Sequence, residues 1–426
     1  MSTALAPLVL RVRTEAIAPP ADPRGTLLDL LPETGALAWV RDGEGIVGWG
    51  EAARLPLVGP DRFARADRWW RELVGDAEVA DEVGLPGTGL VAFGSFAFDS
   101  DSPAGSVLVV PAVSVGHRAG IWWRTTVAAG TPRPGAGTPG PALRSSPRPP
   151  GPVLWSDGAR SSTEWVSVVA AAVARIDAGE VAKVVLARDI EARVPGPLDL
   201  RWPLGRLASS YPDCWTFAVD GLLGATPEML VGLVDGVASS RVLAGTLRRS
   251  GDAAMDLRKG SALAGSIKDL EEHGYGVRSV VDALAQHCTS VDVPDAPFVL
   301  ELPNVLHLAT DISGVVADGS TSLGLLASLH PSAAVCGAPT DAALAVIREL
   351  EGLDRGRYAG PVGWTDARGD GEWGIALRCA EVAAGAAGAG RLRLFAGCGI
   401  VAGSRPLDEL AESNAKLVPM RDALQD

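Results

Sequence analysis

Residues 161–194 read SSTEWVSVVAAAVARIDAGEVAKVVLARDIEARV, and the two halves of this stretch obey different periods. In the first half Trp165, Val168, Val169, Ala172, Val173 and Ile176 recur at helical spacing, Ser161 and Glu164 stand three apart as a capping box, and Gly179 supplies the stop. The second half, VAKVVLARDIEARV, is rich in β-branched and apolar residues and predicts a strand that follows at once. A helix and a strand are thus adjacent. If this unit recurred regularly along the chain, a doubly wound parallel sheet would follow.

It does not recur. Downstream, amphipathic helices are predicted over 266–286, 340–350 and 406–424, with strands such as GEWGIALRCAEV (371–382) and RLRLFAGCGIV (391–401) between them. Upstream, LAWVRDGEGIVGWGE (37–51) carries an Asp42-Gly43 hairpin signal, VLVVPAVSV (107–115) suggests further short strands and a hairpin, and one helical pattern covers 62–73. Strands and helices mix without βαβ alternation, so the fold class is α+β. Residues 130–153, GTPRPGAGTPGPALRSSPRPPGPV, are dominated by Pro, Gly and Ser and read as an exposed connection. They divide a mostly stranded segment, 1–129, from the segment 154–426, where the candidate chemistry lies.

Bulk composition narrows the class. Apolar residues at 47% and charged residues at 21% are globular values. The beginning of the chain shows no basic and apolar leader, and no run reaches the roughly 18 apolar residues of a membrane span. Five scattered cysteines without a CxxC pair fit reduced thiols, so a cytoplasmic protein is expected. A net charge of −13 speaks against nucleic acid as a partner. It also means that an anionic substrate needs local positive charge from a metal or from Arg and Lys.

Several residues have the right type and setting for catalysis. Alternation along the strand places Lys183 on one face with Val181, Val185 and Ala187, while Ala182, Val184 and Leu186 form the other, so both faces are apolar. A lysine desolvated there loses charge stability, and its pKa moves down from about 10.4 as a general base requires. A strand-end lysine that snorkels to water has the same pattern. Glu228, in GATPEML, is expected in the first turn of a short helix capped by Thr226 with Pro227 at its first position. There it either complements the helix dipole or, if buried, serves as a general acid.

Asp269 with Glu272, and Glu409 with Glu412, form two acidic pairs with three-residue spacing on helices. Together they offer four carboxylates to a hard cation, and Mg²⁺ typically takes one or two directly and keeps waters and substrate oxygens. A solvated face with a Glu412–Lys416 bridge accounts for the second pair equally well. Arg378, read as part of the strand GIALRCAEV beside Ala376 and Ala380, suits either a bidentate carboxylate contact or a structural ion pair. His307 stands alone in an apolar run and reads as a satisfied core histidine. The glycine-rich LFAGCGIV (394–401) brings backbone N–H groups together but lacks a nucleotide fingerprint.

Taken in order, nine segments from 182 onward resemble the chorismate-utilising enzymes: AKVVLAR, GATPEML, LAGTLRR, SIKDLEEH, LPNVLHLATDISG, LHPSAAVCGAP, DRGRYAGPVGWTDARGDGEWGIALR, FAGCGIV and ESNAKL. The resemblance implies a single large α+β domain of two packed antiparallel sheets flanked by helices, with the Pro-rich segment as an internal loop. It implies Lys183 as the base that activates water for attack at C2 of chorismate and Glu228 as the acid that protonates the departing C4 hydroxyl. By the same resemblance Glu272 and Glu412 would hold Mg²⁺, with Asp269 and Glu409 in support. Tyr358 and Arg378 match residues around the enolpyruvyl carboxylate, while Gly245, Thr246, Gly397, Gly399 and Lys416 match positions around the ring carboxylate and metal. His307 matches a pocket histidine, and Ala244 and Thr310 fall in the same substrate-binding segments.

Two positions divide the group. Lys183 looks like the base of the hydroxylating members, and Ala244 stands where aminodeoxychorismate synthases carry a nucleophilic lysine, so amination and a glutaminase partner are not expected. Isochorismate formation is the activity implied, feeding menaquinone, siderophore or salicylate synthesis. Salicylate synthase, which also releases pyruvate, and a non-catalytic chorismate-binding homologue are the alternatives, and a monomer is expected. Three departures from the family pattern stand out: SNAK beside Glu412, Cys398 between the glycines, and Gly274 and Gly276 after His273. Each of these two glycines costs a helix up to about 1 kcal/mol against Ala.

Overall fold

A computed structural model describes residues 9–20, 25–129, 145–383 and 390–425. Its frame is two sheets. The first has thirteen strands running, edge to edge, Leu154–Asp157, Lys183–Val194, Gly390–Val401, Cys379–Val382, Leu222–Thr226, Trp215–Val219, Leu37–Arg41, Glu44–Trp49, Val113–Arg118, Ile121–Ala129, Leu10–Ile17 and Glu78–Asp81, with Gly337–Ala338 added beside Lys183–Val194. The second has ten: Cys288–Asp292, Val305–Val316, Val237–Arg248, Met229–Val234, Gly371–Ile375, Pro361–Asp366, Val91–Ser95, Ser106–Val110 and Ala53–Leu57, with Phe298–Glu301 beside Val305–Val316. Among the described residues every pairing is antiparallel except Leu10–Ile17 with Glu78–Asp81. The α+β expectation and the two antiparallel sheets are what the chain forms.

The sheets meet through large aromatic side chains, because a half-buried sheet must cover its apolar face. Trp39 and Phe217 of the first sheet and Trp373 of the second are fully buried in one continuous core. A Cβ on Gly374 would lie 2.9 Å from the Trp39 ring, so glycine is what permits that approach. A second apolar cluster lies under helices Arg201–Ser210 and Pro406–Ala423.

Local readings hold where the pattern was strong. Helix Ser162–Asp177 begins with the Ser161/Glu164 capping box, worth about 1 kcal/mol, and the strand Lys183–Val194 follows it. The Asp42-Gly43 turn closes a hairpin with φ of 49° and 75°. Helices Arg62–Gly75, Ile267–Leu284, Thr340–Leu350 and Pro406–Ala423 match their predicted spans closely.

Three readings are corrected, and all three failed at a crossing between the sheets. VLVVPAVSV is not a hairpin: Ser106–Val110 belongs to the second sheet and Val113–Arg118 to the first, and Pro111, which cannot donate to a ladder, marks the exit. Glu228 is not in a helix, because Leu222–Thr226 and Met229–Val234 are strands of different sheets and Pro227-Glu228 is the bridge. Long-range pairing on both sides overrides the local N-cap signal there. Arg378 is not within a strand either: Gly371–Ile375 ends in the second sheet, Cys379–Val382 starts in the first, and Arg378 turns between them with φ 48°.

The Pro-rich connection lies mainly outside the described residues, 130–144 being among those not described. Its remainder is tied down: Arg201 donates to the Ser145 carbonyl at 2.8 Å and the Arg148 backbone N–H donates to Asp199 at 3.1 Å. The strands before and after it, Ile121–Ala129 and Leu154–Asp157, belong to the same sheet.

Candidate active site

Most of the residues named from sequence converge on one cavity. Glu228, Ala244, Gly245, Thr246, Glu272, His307, Tyr358, Arg378, Gly397, Gly399 and Lys416 all line it. Lys183, on the buried strand Lys183–Val194, is not itself in the lining but stands against Glu272, which is, and Val185 on the same strand face lines the wall, as alternation predicted. The accessible space is about 60 Å³, narrowed by lysine side chains folded onto carboxylates. A larger cleft of about 630 Å³ opens elsewhere, around Trp39, Arg41, Trp215 and Arg241. It gathers none of the predicted residues, so chemistry rather than size identifies the site.

Lys183 is fully buried, and its Nζ lies 3.5 Å from Oε1 of Glu272 and 3.5 Å from the Glu272 carbonyl. The snorkelling alternative is thereby excluded. Glu228, also buried, presents its carboxyl from the bridge between the sheets, where Thr226 Oγ1 accepts from the Glu228 N–H at 3.2 Å. Burial pushes its pKa up to about 7, against the lowering effects of the Leu243 backbone N–H and the charges of Lys183, Arg378 and Lys416. The sequence left open whether helix dipole or burial governs this group; there is no helix, and burial wins.

Opposite stands a fixed cationic group. Arg378, buried and held in a left-handed backbone conformation, donates from Nη2 to His307 Nε2 at 2.9 Å. Guanidinium only donates, so Nε2 must be the acceptor and the imidazole proton sits on Nδ1. From there it faces Thr246 Oγ1 at 3.1 Å and the Gly245 carbonyl at 3.3 Å. Burial first, then Arg378 and Lys416, hold the His307 pKa well below its ordinary value. His307 is therefore a neutral orienting group for Arg378. Tyr358 stacks on Phe395 at 5.1 Å, and a Cβ on Gly397 would come within 2.9 Å of its hydroxyl, which accounts for glycine at that place.

Of the two acidic pairs, Glu272 alone lines the cavity. Lys416 Nζ lies 2.5 Å from Glu412 Oε1 and donates to the Gly397 carbonyl at 2.9 Å. Lys268 Nζ lies 3.3 Å from Oε1 of Glu409, which is buried. Burial, followed by repulsion from Glu412, pushes the Glu409 pKa up to about 7, and Glu272 is raised by the same two influences while Lys183 opposes them. Oxygens of Glu409 and Glu412 and the Cys398 sulfur lie within 4.8 Å of one another. Carboxylates crowded together out of water repel and take up protons unless a cation joins them. The oxygens of Glu409 and Glu412 suit a hard divalent ion such as Mg²⁺, and Glu272 on the cavity wall is near enough to feel the Glu412 charge, while the third atom of the close cluster is the Cys398 sulfur and not a Glu272 oxygen. Asp269 borders Gly245, where an added Cβ would lie 3.1 Å from its own.

Five predicted residues do not line the cavity: Lys183, Asp269, Thr310, Glu409 and Glu412. Thr310 is buried behind the wall, its Oγ1 2.7 Å from His273 Nε2, and it does not line the cavity. Other residues were missed. Arg355, Val335 and Ala334 contribute to the lining, and His273 anchors the helix that carries Glu272. A signal for Arg355 existed: it stands four residues after Glu351 and inside the segment DRGRYAG that contains Tyr358. The departure at Gly276 is explained, since a Cβ there would meet Val242 at 2.9 Å; it lets the helix Ile267–Leu284 lie close on the strand Val237–Arg248 rather than loosening it.

The chain is similar to known proteins along most of its length. A family model described as "Chorismate binding enzyme" matches residues 144–425. The salicylate biosynthesis isochorismate synthase of Pseudomonas aeruginosa is 36% identical over 421 residues, covering 92% of this chain and 85% of that protein. The isochorismate synthase DhbC of Bacillus subtilis is 41% identical over 264 residues, 59% of this chain and 65% of that one. Among solved structures, MenF, the menaquinone-specific isochorismate synthase of Escherichia coli, superposes with a TM-score of 0.76 at 24% identity, over 99% of this chain and 97% of its own, and so supports the fold. With the family model spanning the whole site and a relative matched across nearly its full length, the chain belongs to the chorismate-binding enzymes.

Proposed function

We propose that this chain is an isochorismate synthase that isomerises chorismate with Lys183 as general base and Glu228 as general acid. The observation that carries the reading is a cavity lined by a buried carboxyl whose pKa of about 7 leaves it partly protonated at neutral pH, with the buried Lys183 amine 3.5 Å from Glu272 of the same lining. Lys183 takes a proton from water as its oxygen bonds to C2. The ring double bond shifts, the C4–O bond breaks, and Glu228 delivers its proton so that the C4 hydroxyl leaves as water. One water enters and one departs, and both side chains regain their starting protonation by exchange with solvent.

Arg378, fixed by neutral His307, offers its guanidinium to a substrate carboxylate, beside Tyr358. Glu272 and Glu412 would hold Mg²⁺, supported by Asp269 and Glu409. When bound, that ion supplies the positive charge a dianionic substrate needs in a chain of net charge −13. Substrate entry parts Lys183 from Glu272 and Lys416 from Glu412. Relatives named as isochorismate synthases, and Ala244 in place of a nucleophilic lysine, favour this reading over amination with a glutaminase partner.

The test is incubation with chorismate, with and without Mg²⁺, followed by chromatography and a pyruvate assay. Isochorismate without pyruvate, lost on chelation, is the expected result. Stoichiometric pyruvate with salicylate would reassign the chain as a salicylate synthase, and no conversion by folded protein would reassign it as a binding homologue.

A further inference from the structure

The strand carrying Lys183 has an unusual second edge. One side pairs along its whole length with Gly390–Val401. The other side pairs with Gly337–Ala338 at residues 183–184 and with Leu154–Asp157 at residues 190–193, which leaves a break between the two short partners. A break in a buried ladder exposes backbone groups that must find other partners. Here they are met singly. Val185 N–H donates to the Cys336 carbonyl at 2.8 Å, and the Val185 carbonyl accepts from Arg355 Nη2 at 2.7 Å. Ala187 N–H donates to Glu351 Oε2 at 2.7 Å, and its carbonyl accepts from Trp165 Nε1 at 3.0 Å.

Glu351 and Arg355 are themselves joined by a buried two-point ion pair, 2.7 Å from Nε to Oε1 and 2.6 Å from Nη2 to Oε2. Arg355 also donates to the Val335 carbonyl at 2.9 Å, covers the Phe98 ring at 4.2 Å, and accepts on its own carbonyl from Tyr358 N–H at 3.0 Å. A carboxylate and a guanidinium thus stand in for the absent strand. They tie the backbone two and four residues beyond Lys183 to the turn that presents Tyr358.

We infer that Glu351 and Arg355 are positioning residues for the reaction, fixing the height of Lys183 in its strand relative to Tyr358, which lines the cavity. The inference rests on Lys183 being the base. Neither side chain needs to touch the reacting atoms. Their effect is transmitted through the backbone, where a misplacement of about 1 Å costs on the order of 100-fold in rate.

E351Q and R355K test it. Glutamine turns an amide donor toward either Ala187 N–H or Arg355, both of which already donate, and lysine cannot serve Glu351, Val335 and Val185 together. The expected result is a fall in kcat of about tenfold or more with KM for chorismate within about twofold, accompanied by faster amide exchange in a peptide covering 184–188 and unchanged exchange in 107–115. Should E351Q fail to fold, E351D, which keeps the charge but shortens the reach, is read in the same way. A kcat within twofold of wild type, or a rate loss matched by an equal rise in KM with exchange at 184–188 unaltered, would overturn the proposal. K183A run alongside separates the two ideas: if that variant keeps its activity, the base assignment has failed whatever E351Q does. If K183A is inactive while E351Q is normal, only the positioning role has failed.

Discussion

Replacing Glu228 with Gln should make the enzyme inactive and, at alkaline pH, relatively more stable. In the folded chain burial holds this carboxyl at about 7 against an ordinary 4.5. The folded state therefore binds a proton more tightly than the unfolded state, and the stability linked to that proton is fully present below about 4.5 and is lost as pH rises through about 7. At about 1.4 kcal/mol per pH unit, the wild type should lose about 2–3 kcal/mol between pH 5 and pH 8 from this group alone. Glutamine does not ionise and removes that loss. Any packing cost of the amide is the same at both pH values and cancels in the difference.

The assay is urea unfolding of both proteins at pH 5 and pH 8, with kcat/KM measured on the same preparations. The stability of E228Q relative to wild type should rise by about 2–3 kcal/mol from pH 5 to pH 8, and its activity should fall by about 10²–10⁴, the usual worth of a general acid. A stability difference independent of pH would refute the raised pKa. Activity within tenfold of wild type would refute the role as acid.

Further outcomes follow from the same geometry. K183A should abolish turnover while leaving the unfolding transition in place, since the strand keeps its full ladder to Gly390–Val401; near-normal activity would remove Lys183 from the mechanism. G399A should cut activity by at least about tenfold, because the new Cβ would stand 2.1 Å from Glu272 Oε1 and 3.0 Å from Lys183 Cε. Wild-type kinetics in that variant would mean that Glu272 and Lys183 need not hold these places. E272Q and E412Q should each weaken Mn²⁺ binding, measured by electron paramagnetic resonance in place of Mg²⁺, by about tenfold or more, and unchanged affinity would move the metal elsewhere.

What the sequence disclosed depended on how local the cause was. The helix at Ser162–Asp177 and the strand at Lys183–Val194 follow from period and composition, which act within a dozen residues, whereas the same pattern left Lys183 open between burial and snorkelling. The surroundings of Glu228 and Arg378 do not, because both lie where the chain leaves one sheet for the other, and that exit is set by partners far away in sequence. Thr226-Pro227-Glu228 has the composition of a helix start, yet Trp215–Val219 and Gly371–Ile375 claim the residues on either side. The Glu351–Arg355 pair was visible as spacing but not as function, since its purpose appears only once the break in the ladder beside Val185 is seen. The grouping of Lys183 with Glu228 and Glu272 was read from resemblance alone; in the fold Glu228 and Glu272 line one cavity and Lys183 stands 3.5 Å from Glu272.

Glu228 and Arg378 each occupy a connection of two or three residues, Pro227-Glu228 and Ala376–Arg378, with a strand of a different sheet at either end. Such connections have no slack. An extra residue in either would shift the register of the strand that follows and turn its inward side chains outward, so length cannot vary there as it does in surface loops. The reaction is thus written into the joinery of the two sheets, and a lineage adapting this scaffold to a different ring chemistry must work by exchanging side chains at fixed stations, not by remodelling loops around a pocket.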